Sequence, residues 1–413
     1  MNNKNKSIFS PTLKLFMGAM ILANISSMMS FGYISLYLAD LGAGVSDIGT
    51  VFTITSLVPL VLQIVGGWLS DSIGRLKTIA IGSVAGVIGA IGLWLAPSWE
   101  WTILAIGIGS ISMALVGPSF SSFIADQTEE ENRGKVFGIT QSLYQVVGVV
   151  GPPVGGYIAQ NYSYKSMYFV SMLLYSVAAI VRIWMANSLK FNTENNEKPT
   201  VQSFKKSIKT LVGLILSGGV VTWMFLADGT SDIAIRLSDS LSTIFQQEIG
   251  GQSIQEIGLL TSIQAVVMMI FNIPGGWLSD KFGERVGISI GFFLFATCFF
   301  IFIPATEFWQ YALAWIISGI GASLLMPAYE SLISKMVPEK MRGIAFGFFR
   351  STLGIISFPA PLIGAALWER YSPQTPFLFT AYMMIVVGIV SWFKLNIPKN
   401  GIGQSESPLD GVS

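Results

Sequence analysis

The sequence contains the same unit twice, at a fixed distance. The stretch GGWLSDSIGR at residues 66–75 returns as GGWLSDKFGE at residues 275–284, so Asp71 and Asp280 are 209 positions apart (280 − 71). The same interval separates further pairs, among them Pro118 and Pro327, Arg133 and Arg342, Pro152 and Pro361, and Gly155 and Gly364. One constant interval across so many landmarks indicates two copies of one structural unit rather than a local coincidence.

The composition places both copies in a lipid membrane. Only 11% of the 413 residues are charged and 52% are apolar, whereas soluble domains contain about 25% charged residues. Apolar runs of about 20 residues, the length that crosses a bilayer as a helix, recur along the chain. We therefore predict an all-α membrane protein with twelve transmembrane helices in two pseudo-symmetric six-helix bundles. The predicted spans are 13–39, 48–70, 77–96, 100–125, 136–160, 164–187, 210–246, 254–279, 286–304, 308–335, 342–367 and 374–395.

The basic residues predict how these helices are oriented. With few exceptions Lys and Arg fall on one side of the predicted spans, which the positive-inside rule assigns to the cytoplasm. We therefore predict that both chain ends are cytoplasmic. The membrane that the protein spans is predicted to be the cell (plasma or inner) membrane. Six spans per copy give the two copies the same orientation, as in parallel repeats. The predicted divisions are an N-terminal bundle at 1–189, a cytoplasmic linker at 190–209, a C-terminal bundle at 210–399 and a short tail at 400–413.

Twelve spans, two equal halves, a polar central linker and the repeated loop together resemble the major facilitator superfamily of secondary transporters. The family's loop signature reads G-x-L-x-D-R/K-x-G-R-R/K. The matching residues are Gly67, Leu69, Asp71, Gly74 and Arg75 in the first copy, and Gly276, Leu278, Asp280, Lys281, Gly283 and Arg285 in the second. The second copy departs from the signature at Glu284, where an Arg is usual. The resemblance implies that this loop helps to latch the two halves together at the cytoplasmic face.

The first copy of the loop also predicts an ion pair. Asp71 ends a predicted helix where its carboxylate can face the positive N-terminus of a neighbouring helix, and Gly74 permits a tight turn. Arg75 is then well placed to pair with Asp126, at the same end of span 4. The alternative is that these charges only set the topology and the short turn.

Span 5 carries a second resemblance to the family. Its sequence GPPVGG is similar to the GPxxGG core of the family's antiporter signature, through Gly151, Pro152, Gly155 and Gly156. The resemblance implies export rather than import, although ordinary close packing of helices would need the same small residues. Ile106 stands where many exporters of the family have an Arg that is linked to proton coupling, which argues against simple proton antiport.

Span 7 carries the densest set of charges inside a predicted span. Asp228, Asp232, Arg236 and Asp239 are spaced by 4, 4 and 3 residues, which puts all four on one helical face. We expect Asp228 and Asp232 to line the transport path, with one of them binding a proton or cation. The alternative is that the span ends near Ala227 and the charged stretch is an amphipathic helix outside the membrane. The repeat favours the first reading, because an interval of 209 aligns Asp232 with a position deep in span 1.

Further polar candidates lie in other spans. Glu330 in span 10 and Arg350 in span 11 lie at similar depths, so we predict that they pair, either as a substrate or coupling site or as a structural ion pair. Arg182 lies near the inner end of span 6, where we expect it to extend to the interface. The uncharged candidates are Asn24, Gln141, Tyr144, Gln145, Gln264 and Asn272, any of which could instead bond between helices.

Taken with the resemblance, these features predict a monomeric alternating-access transporter of a small solute. We expect an exporter of amphipathic or drug-like compounds, coupled to a proton or sodium ion. The alternatives are a symporter or uniporter of a polar nutrient, a lipid flippase, or a transporter-like sensor or interaction protein. The chain has no histidine and no phosphate loop or nucleophile motif. We therefore expect no enzyme activity, no cofactor, no metal site and no nucleic-acid partner.

Overall fold

A computed structural model describes residues 10–128, 130–188, 219–336 and 354–395, and in these ranges every regular element is helical. Twelve helices form two repeated halves of six. They are α1 (Pro11–Asp40), α2 (Val45–Ile73), α3 (Arg75–Leu95), α4 (Trp99–Asp126), α5 (Arg133–Asn161), α6 (Tyr164–Ser188), α7 (Val220–Ile244), α8 (Ile254–Phe282), α9 (Glu284–Phe302), α10 (Phe308–Met336), α11 (Ala360–Arg370) and α12 (Thr375–Lys394). The predicted linker, the predicted tail and Arg350 lie outside the described residues, as do the side chain of Asp71 and most side chains between residues 60 and 72.

Eight of the described helices are long and apolar enough to cross a bilayer: α1, α3, α4, α6, α8, α9, α10 and α12. Helices α5 and α7 are of similar length but do not reach that apolarity, because Gln and Tyr interrupt the first and Asp and Arg the second. A helix with a polar stripe is stable in a membrane when the stripe faces protein or a water-filled path. The apolarity of the helices thus separates α5 and α7 from the helices whose faces can meet lipid.

The repeated loop is a pair of glycine turns. Gly74 lies between α2 and α3 with φ 100°, and Gly283 lies between α8 and α9 with φ 93°. Only glycine adopts this left-handed backbone without steric strain, so the turn reverses the chain in a single residue. The tight turn that the sequence predicts at Gly74 is confirmed, and the second copy repeats it 209 positions later.

Matching contacts inside the two halves show how the copies align. In the first half α1 packs on α6, where Ser26 Oγ lies 2.8 Å from Ser171 Oγ. In the second half α7 packs on α12, where the Thr380 hydroxyl donates to the Ala234 carbonyl over 2.6 Å. Ser171 and Thr380 are 209 positions apart, but Ser26 and Ala234 are 208 apart (234 − 26).

The glycines of α5 and α11 give the same result. A Cβ on Gly155 would collide with the Met29 carbonyl, and a Cβ on Gly364 with the Leu237 carbonyl. The two glycines are 209 positions apart, and their partners are 208 apart. The interval of 209 that the sequence predicts for α1 and α7 is therefore wrong by one residue. With an interval of 208, the structural counterpart of Asp232 is Asn24, whereas an interval of 209 would select Ala23.

The buried apolar residues form one cluster that joins the halves and two that do not. We call the face with the described chain ends, Ser10 and Leu395, the terminal face, and the face with Asp40 and Arg370 the distal face. The cluster at the distal face takes Tyr37 and Tyr164 from the first half and Phe302 from the second. The two clusters at the terminal face each draw on one half only. The halves are therefore packed together at the distal face.

Two symmetric helix crossings make this junction. Where α2 meets α11, the Ser46 amide donates to Glu369 Oε1 over 3.0 Å. Where α8 meets α5, the Gln255 amide donates to Gln160 Oε1 over 3.3 Å. Both donors and both acceptors are related by the 209-residue interval, so the two crossings are copies of one contact.

Helix α8 shows where the halves separate. Its distal part packs against α5, with Ser262 Oγ donating to the Val149 carbonyl over 2.6 Å. Residues 269–274, nearer the terminal face, are all exposed, and Ile273 is 83% exposed. Six consecutive exposed residues cover more than one turn, so neither half encloses this part of α8. Together with the separate apolar clusters, this exposure indicates that the described halves separate towards the terminal face, and we call the space between them there the cleft.

Candidate functional site

The charged stretch of α7 belongs to one continuous helix that packs along α12. Near the terminal face the Lys394 ammonium lies 4.9 Å from the centre of the Trp223 ring, and further along Thr380 bonds to Ala234. A helix that left the membrane after Ala227 would lose the second of these contacts. The structure therefore shows no helix end near Ala227, and the location of the charged stretch within the membrane stays a prediction.

Asp232 lies near the middle of this helix. Trp223, level with the end of α12, is nine residues away, and Ser240, whose carbonyl accepts from Ser35 near the distal end of α1 over 2.6 Å, is eight residues away. At about 1.5 Å per residue these separations are ~14 Å and ~12 Å. Asp232 is therefore about equally far from the two ends of α7.

Two neighbours hold the Asp232 carboxylate. Arg236 Nε donates to Asp232 Oδ2 over 2.9 Å, one helical turn along α7. The hydroxyl of Ser357, a fully buried residue just before α11, donates to the same oxygen. The Asp232 and Arg236 side chains are 29% and 38% exposed, so this pair lines the open space between helices instead of being sealed in a core. A carboxylate that water can reach is able to exchange a cation or a proton with it.

Three further acids lie on α7 and α10. Asp239, two helical turns from Asp232 along α7, is exposed. Asp228 lies within electrostatic range of the Tyr329 hydroxyl on α10, and the next residue on that helix, Glu330, is exposed. The predicted pair of Glu330 with Arg350 stays a prediction, because Arg350 is outside the described residues.

The uncharged candidates divide into two groups. Gln264 bonds to Ser318 between α8 and α10 over 2.8 Å, which is a structural contact. Asn24 donates within α1 to the Met20 carbonyl over 2.9 Å, and its amide also meets the Tyr144 hydroxyl of α5. Gln141 and Asn272 are exposed and Gln145 is partly buried, and their side chains form no hydrogen bond to the described residues. The structure thus brings Asn24 and Tyr144 together and leaves Gln141 and Gln145 on the neighbouring turns of α5.

The loop motif makes one ion pair in each half, with the charges exchanged. Arg75 Nε lies 3.5 Å from Asp126 Oδ2, so the pair that the sequence predicts is formed. In the second half Glu284, which is 5% exposed, accepts from the Lys335 ammonium and from the Ser331 hydroxyl. Glu284 and Lys335 follow Arg75 and Asp126 by 209 positions.

The second pair was not predicted, because Glu284 stands out in the sequence only as a departure from the family signature. Adding the repeat interval to both partners of the first pair would have identified it. Each pair lies within its own half, so neither pair joins the two halves. The latch function of Gly67, Asp71, Gly276, Asp280 and Arg285 stays a prediction, since the described residues among them make no contact between the halves.

We expect Glu284→Lys to lower the thermal unfolding temperature by several degrees, because Lys335 and Ser331 then face a buried like charge and lose their acceptor. Breaking a buried pair costs about 3–5 kcal/mol, and the exposure of Lys335 places the effect at the lower end. Glu284→Lys combined with Lys335→Glu should restore most of the loss. Tryptophan fluorescence of the purified protein during heating measures it. Lys281→Glu, at an exposed site on the same face, is the control, and a double variant no better than the single one would contradict the pairing.

The span-5 motif lies where α1, α5 and α8 meet. A Cβ on Gly151 would lie 2.7 Å from the Met28 Cβ on α1, and a Cβ on Gly156 would lie 2.6 Å from the Tyr33 hydroxyl. The Tyr33 hydroxyl donates to the Pro152 carbonyl over 2.6 Å. The four motif residues therefore allow three backbones to approach closely next to a crossing between the halves. Whether they also favour export stays a prediction.

Two apolar grooves between α8 and α10 lie apart from these polar residues. Their volumes are about 340 and 280 Å³, and Leu259 and Val266 line the first while Phe271 and Trp277 line the second. Neither groove contains a charged side chain. Their position on the surface of one half suits lipid chains better than a transported solute.

One protein-family model matches almost the whole length of the chain. The family model described as Major Facilitator Superfamily matches residues 15–250 and 238–409. An MFS-type transporter of Methanocaldococcus jannaschii is 26% identical over 380 residues, which cover 91% of this chain and 96% of the relative. Multidrug resistance protein MdtG of Salmonella typhi is 26% identical over 379 residues, covering 88% of this chain and 90% of the relative.

Solved structures share the fold at lower identity. The POT family transporter PepTSo superposes with a TM-score of 0.77 at 12% identity, covering 94% of this chain and 97% of that one. A D-xylose-proton symporter superposes with a TM-score of 0.69 at 16% identity, covering 95% and 98%. At these identities the likeness concerns the fold alone. It agrees with the arrangement of two repeated six-helix halves.

Proposed function

This chain belongs to the major facilitator superfamily and is a multi-pass membrane transporter, and from that premise we propose that it exports amphipathic, drug-like compounds in exchange for a proton or a sodium ion. The observation that carries the proposal is the Asp232 carboxylate, held by Arg236 and Ser357 at mid-depth of α7. The similarity to MdtG and the antiporter-like motif of α5 support export over import.

The terminal face is the cytoplasmic face in this proposal. Basic residues are concentrated there, as the positive-inside rule requires, and the cleft opens towards it. The structure then corresponds to a state that can accept a compound from the cytoplasm or the inner leaflet. The bundles 1–189 and 210–399, joined by the linker 190–209, rock about the distal crossings to expose the same site to the other side. One monomer contains the complete path.

The charges of the C-terminal half suggest a cationic substrate. Four acids of α7 and α10 lie along the cleft in this proposal, namely Asp228, Asp232, Asp239 and Glu330. Among the described residues on the cleft side of these two helices, Arg236 is the single base. A cleft of one sign attracts the opposite charge strongly when its walls have a low dielectric constant. An amphipathic cation would place its charge near these acids and its apolar part against the surrounding Met and Phe side chains.

Coupling in this scheme rests on α7 because α4 lacks the usual base. Ile106 replaces the Arg of many exporters and packs against the distal apolar cluster. Binding of a proton or Na⁺ at Asp232 would weaken its attraction to Arg236 and to a cationic compound at the same time. The compound and the ion then compete for one carboxylate, and such competition is sufficient for exchange.

The test is ion-driven transport by the purified protein in liposomes. Ethidium, a fluorescent aromatic cation, is the first compound, with pH and sodium gradients imposed separately. Ethidium movement against its own gradient, with counter-movement of protons or Na⁺, is the expected result. Movement that only follows the ethidium gradient would instead favour a uniporter or a flippase, and co-movement with the ion would favour a symporter.

A further inference from the structure

Arg182 of α6 is a buried cation inside the N-terminal half. Its residue is 3% exposed, so it does not extend to the membrane interface, and the prediction that it does so is wrong. The side chain points into its own bundle, where Nη1 donates to Ser83 Oγ on α3 over 3.2 Å. Its Nε is buried and has no hydrogen-bond partner among the described residues.

The charge of Arg182 has no acidic partner among the described side chains. A guanidinium stays charged in proteins, and a buried charge is costly unless it is paired. The described acids of this half lie at helix ends or in loops, namely Asp40, Asp47, Glu100, Asp126, Glu130 and Glu131. Asp126 is taken by Arg75 at the end of α4. At the matching position of the other half, 209 residues on, stands Ser391.

The groups around Arg182 are hydroxyls. Ser83 is completely buried and accepts from the guanidinium, which leaves its own proton free to donate. The Tyr175 hydroxyl contacts Arg182 and lies 2.6 Å from Ser112 Oγ on α4. The Tyr144 hydroxyl is within electrostatic range. A buried guanidinium with an unused N–H, next to several hydroxyls, is suited to an acceptor that carries negative charge.

We propose that Arg182, Ser83 and Tyr175 bind a small monovalent anion, either chloride or the carboxylate group of a small organic acid. One negative charge balances the one unpaired positive charge, so a divalent anion is not required. The surroundings are tight: a Cβ on Gly86 of α3 would collide with the Tyr175 hydroxyl. The site is confined to one half and faces other helices than the acids of α7. It does not depend on the function proposed above.

The test measures stabilisation by the anion, because a ligand that binds only the folded state raises the unfolding temperature. The full-length protein in detergent is titrated with chloride, and separately with acetate, while methanesulfonate keeps the ionic strength constant. We expect a saturable rise of about 2 °C. Saturation by chloride alone identifies a halide site, and saturation by acetate alone identifies a carboxylate site. The absence of saturation by both anions would overturn the proposal.

Variants show whether the effect arises at Arg182. Arg182→Gln should abolish the dependence of the unfolding temperature on the anion. Arg370→Gln, at an exposed site on the distal face, should keep the half-saturating anion concentration of the wild type. Ser83→Ala and Tyr175→Phe retain the charge and remove one donor each, and each should raise the half-saturating concentration about tenfold. These two decide the matter if Arg182→Gln does not fold. A half-saturating anion concentration equal to that of the wild type, either in both Ser83→Ala and Tyr175→Phe or in Arg182→Gln, would also overturn the proposal.

Discussion

Replacing Asp232 by asparagine is expected to lower gradient-driven transport at least tenfold while leaving the amount and folding of the protein unchanged. The amide keeps the size of the side chain and can still accept from Arg236 and Ser357. It cannot bind or release a proton or hold Na⁺ by charge. A tenfold fall corresponds to about 1.4 kcal/mol in the limiting step. The measurement is the initial rate of ethidium movement in liposomes under an imposed ion gradient.

Two controls separate coupling from structure in this experiment. Asp232→Glu keeps the charge and should retain part of the activity, whereas Asp40→Asn, at an exposed distal site, should be neutral. Full gradient-driven activity of Asp232→Asn would remove this carboxylate from the mechanism and leave Asp228, Asp239 and Glu330 as the acids to examine.

Adding one methyl group at each distal crossing should force the halves apart. A Cβ on Gly49 would lie 2.9 Å from the Pro361 carbonyl, and a Cβ on Gly258 would lie 2.7 Å from the Pro152 carbonyl. Backbone oxygens cannot move aside as a flexible side chain can, so Gly49→Ala and Gly258→Ala both disfavour the closed junction. We expect each to shift the equilibrium between the two states about tenfold, a change of about 1.4 kcal/mol.

Cross-linking reports this equilibrium. Cysteines at positions 160 and 255 are joined by a short thiol-reactive linker, and the native Cys298 is buried and interferes little. Cross-linking should be efficient in the parent and reduced by Gly258→Ala. Gly18→Ala is the matched control, since a Cβ there has no neighbour within 4 Å. Equal cross-linking in the Gly18 and Gly258 variants would show that the crossing tolerates the extra carbon.

The fold was predictable from sequence because repetition and apolarity report it directly. Asp71, Gly74 and Arg75 return at one interval in Asp280, Gly283 and Glu284, and that interval alone requires two halves of equal length. The 209-residue interval also relates the two crossings between the halves, since it connects Ser46 with Gln255 and Gln160 with Glu369. Residues such as Gly49 and Gly258 carry no individual signal, however, because a helical glycine matters only through the backbone that approaches it.

The site was less predictable, and the reasons are physical. The alignment of Asp232 with Asn24 depends on one residue lost between α1 and α7, and these helices share no landmark that would reveal the loss. The partner of Asp232 just before α11 is Ser357, a serine that no motif marks in the sequence and that is separated from Asp232 by 125 positions. Arg182 was misplaced because distance from a helix end does not say which way a long side chain points.

The contacts of α7 also constrain the order in which the protein can be built. A charged residue near the middle of an isolated transmembrane helix raises its insertion free energy by about 2.5–3.5 kcal/mol, and α7 carries Asp232 and Arg236 there. Two groups that α7 packs against, Ser357 at the Asp232 carboxylate and Thr380 at the Ala234 carbonyl, are translated more than a hundred residues later. During synthesis α7 therefore has to wait at the translocon, or at the protein–lipid boundary, until α11 and α12 have emerged. The C-terminal half is then completed from its last two helices back to its first.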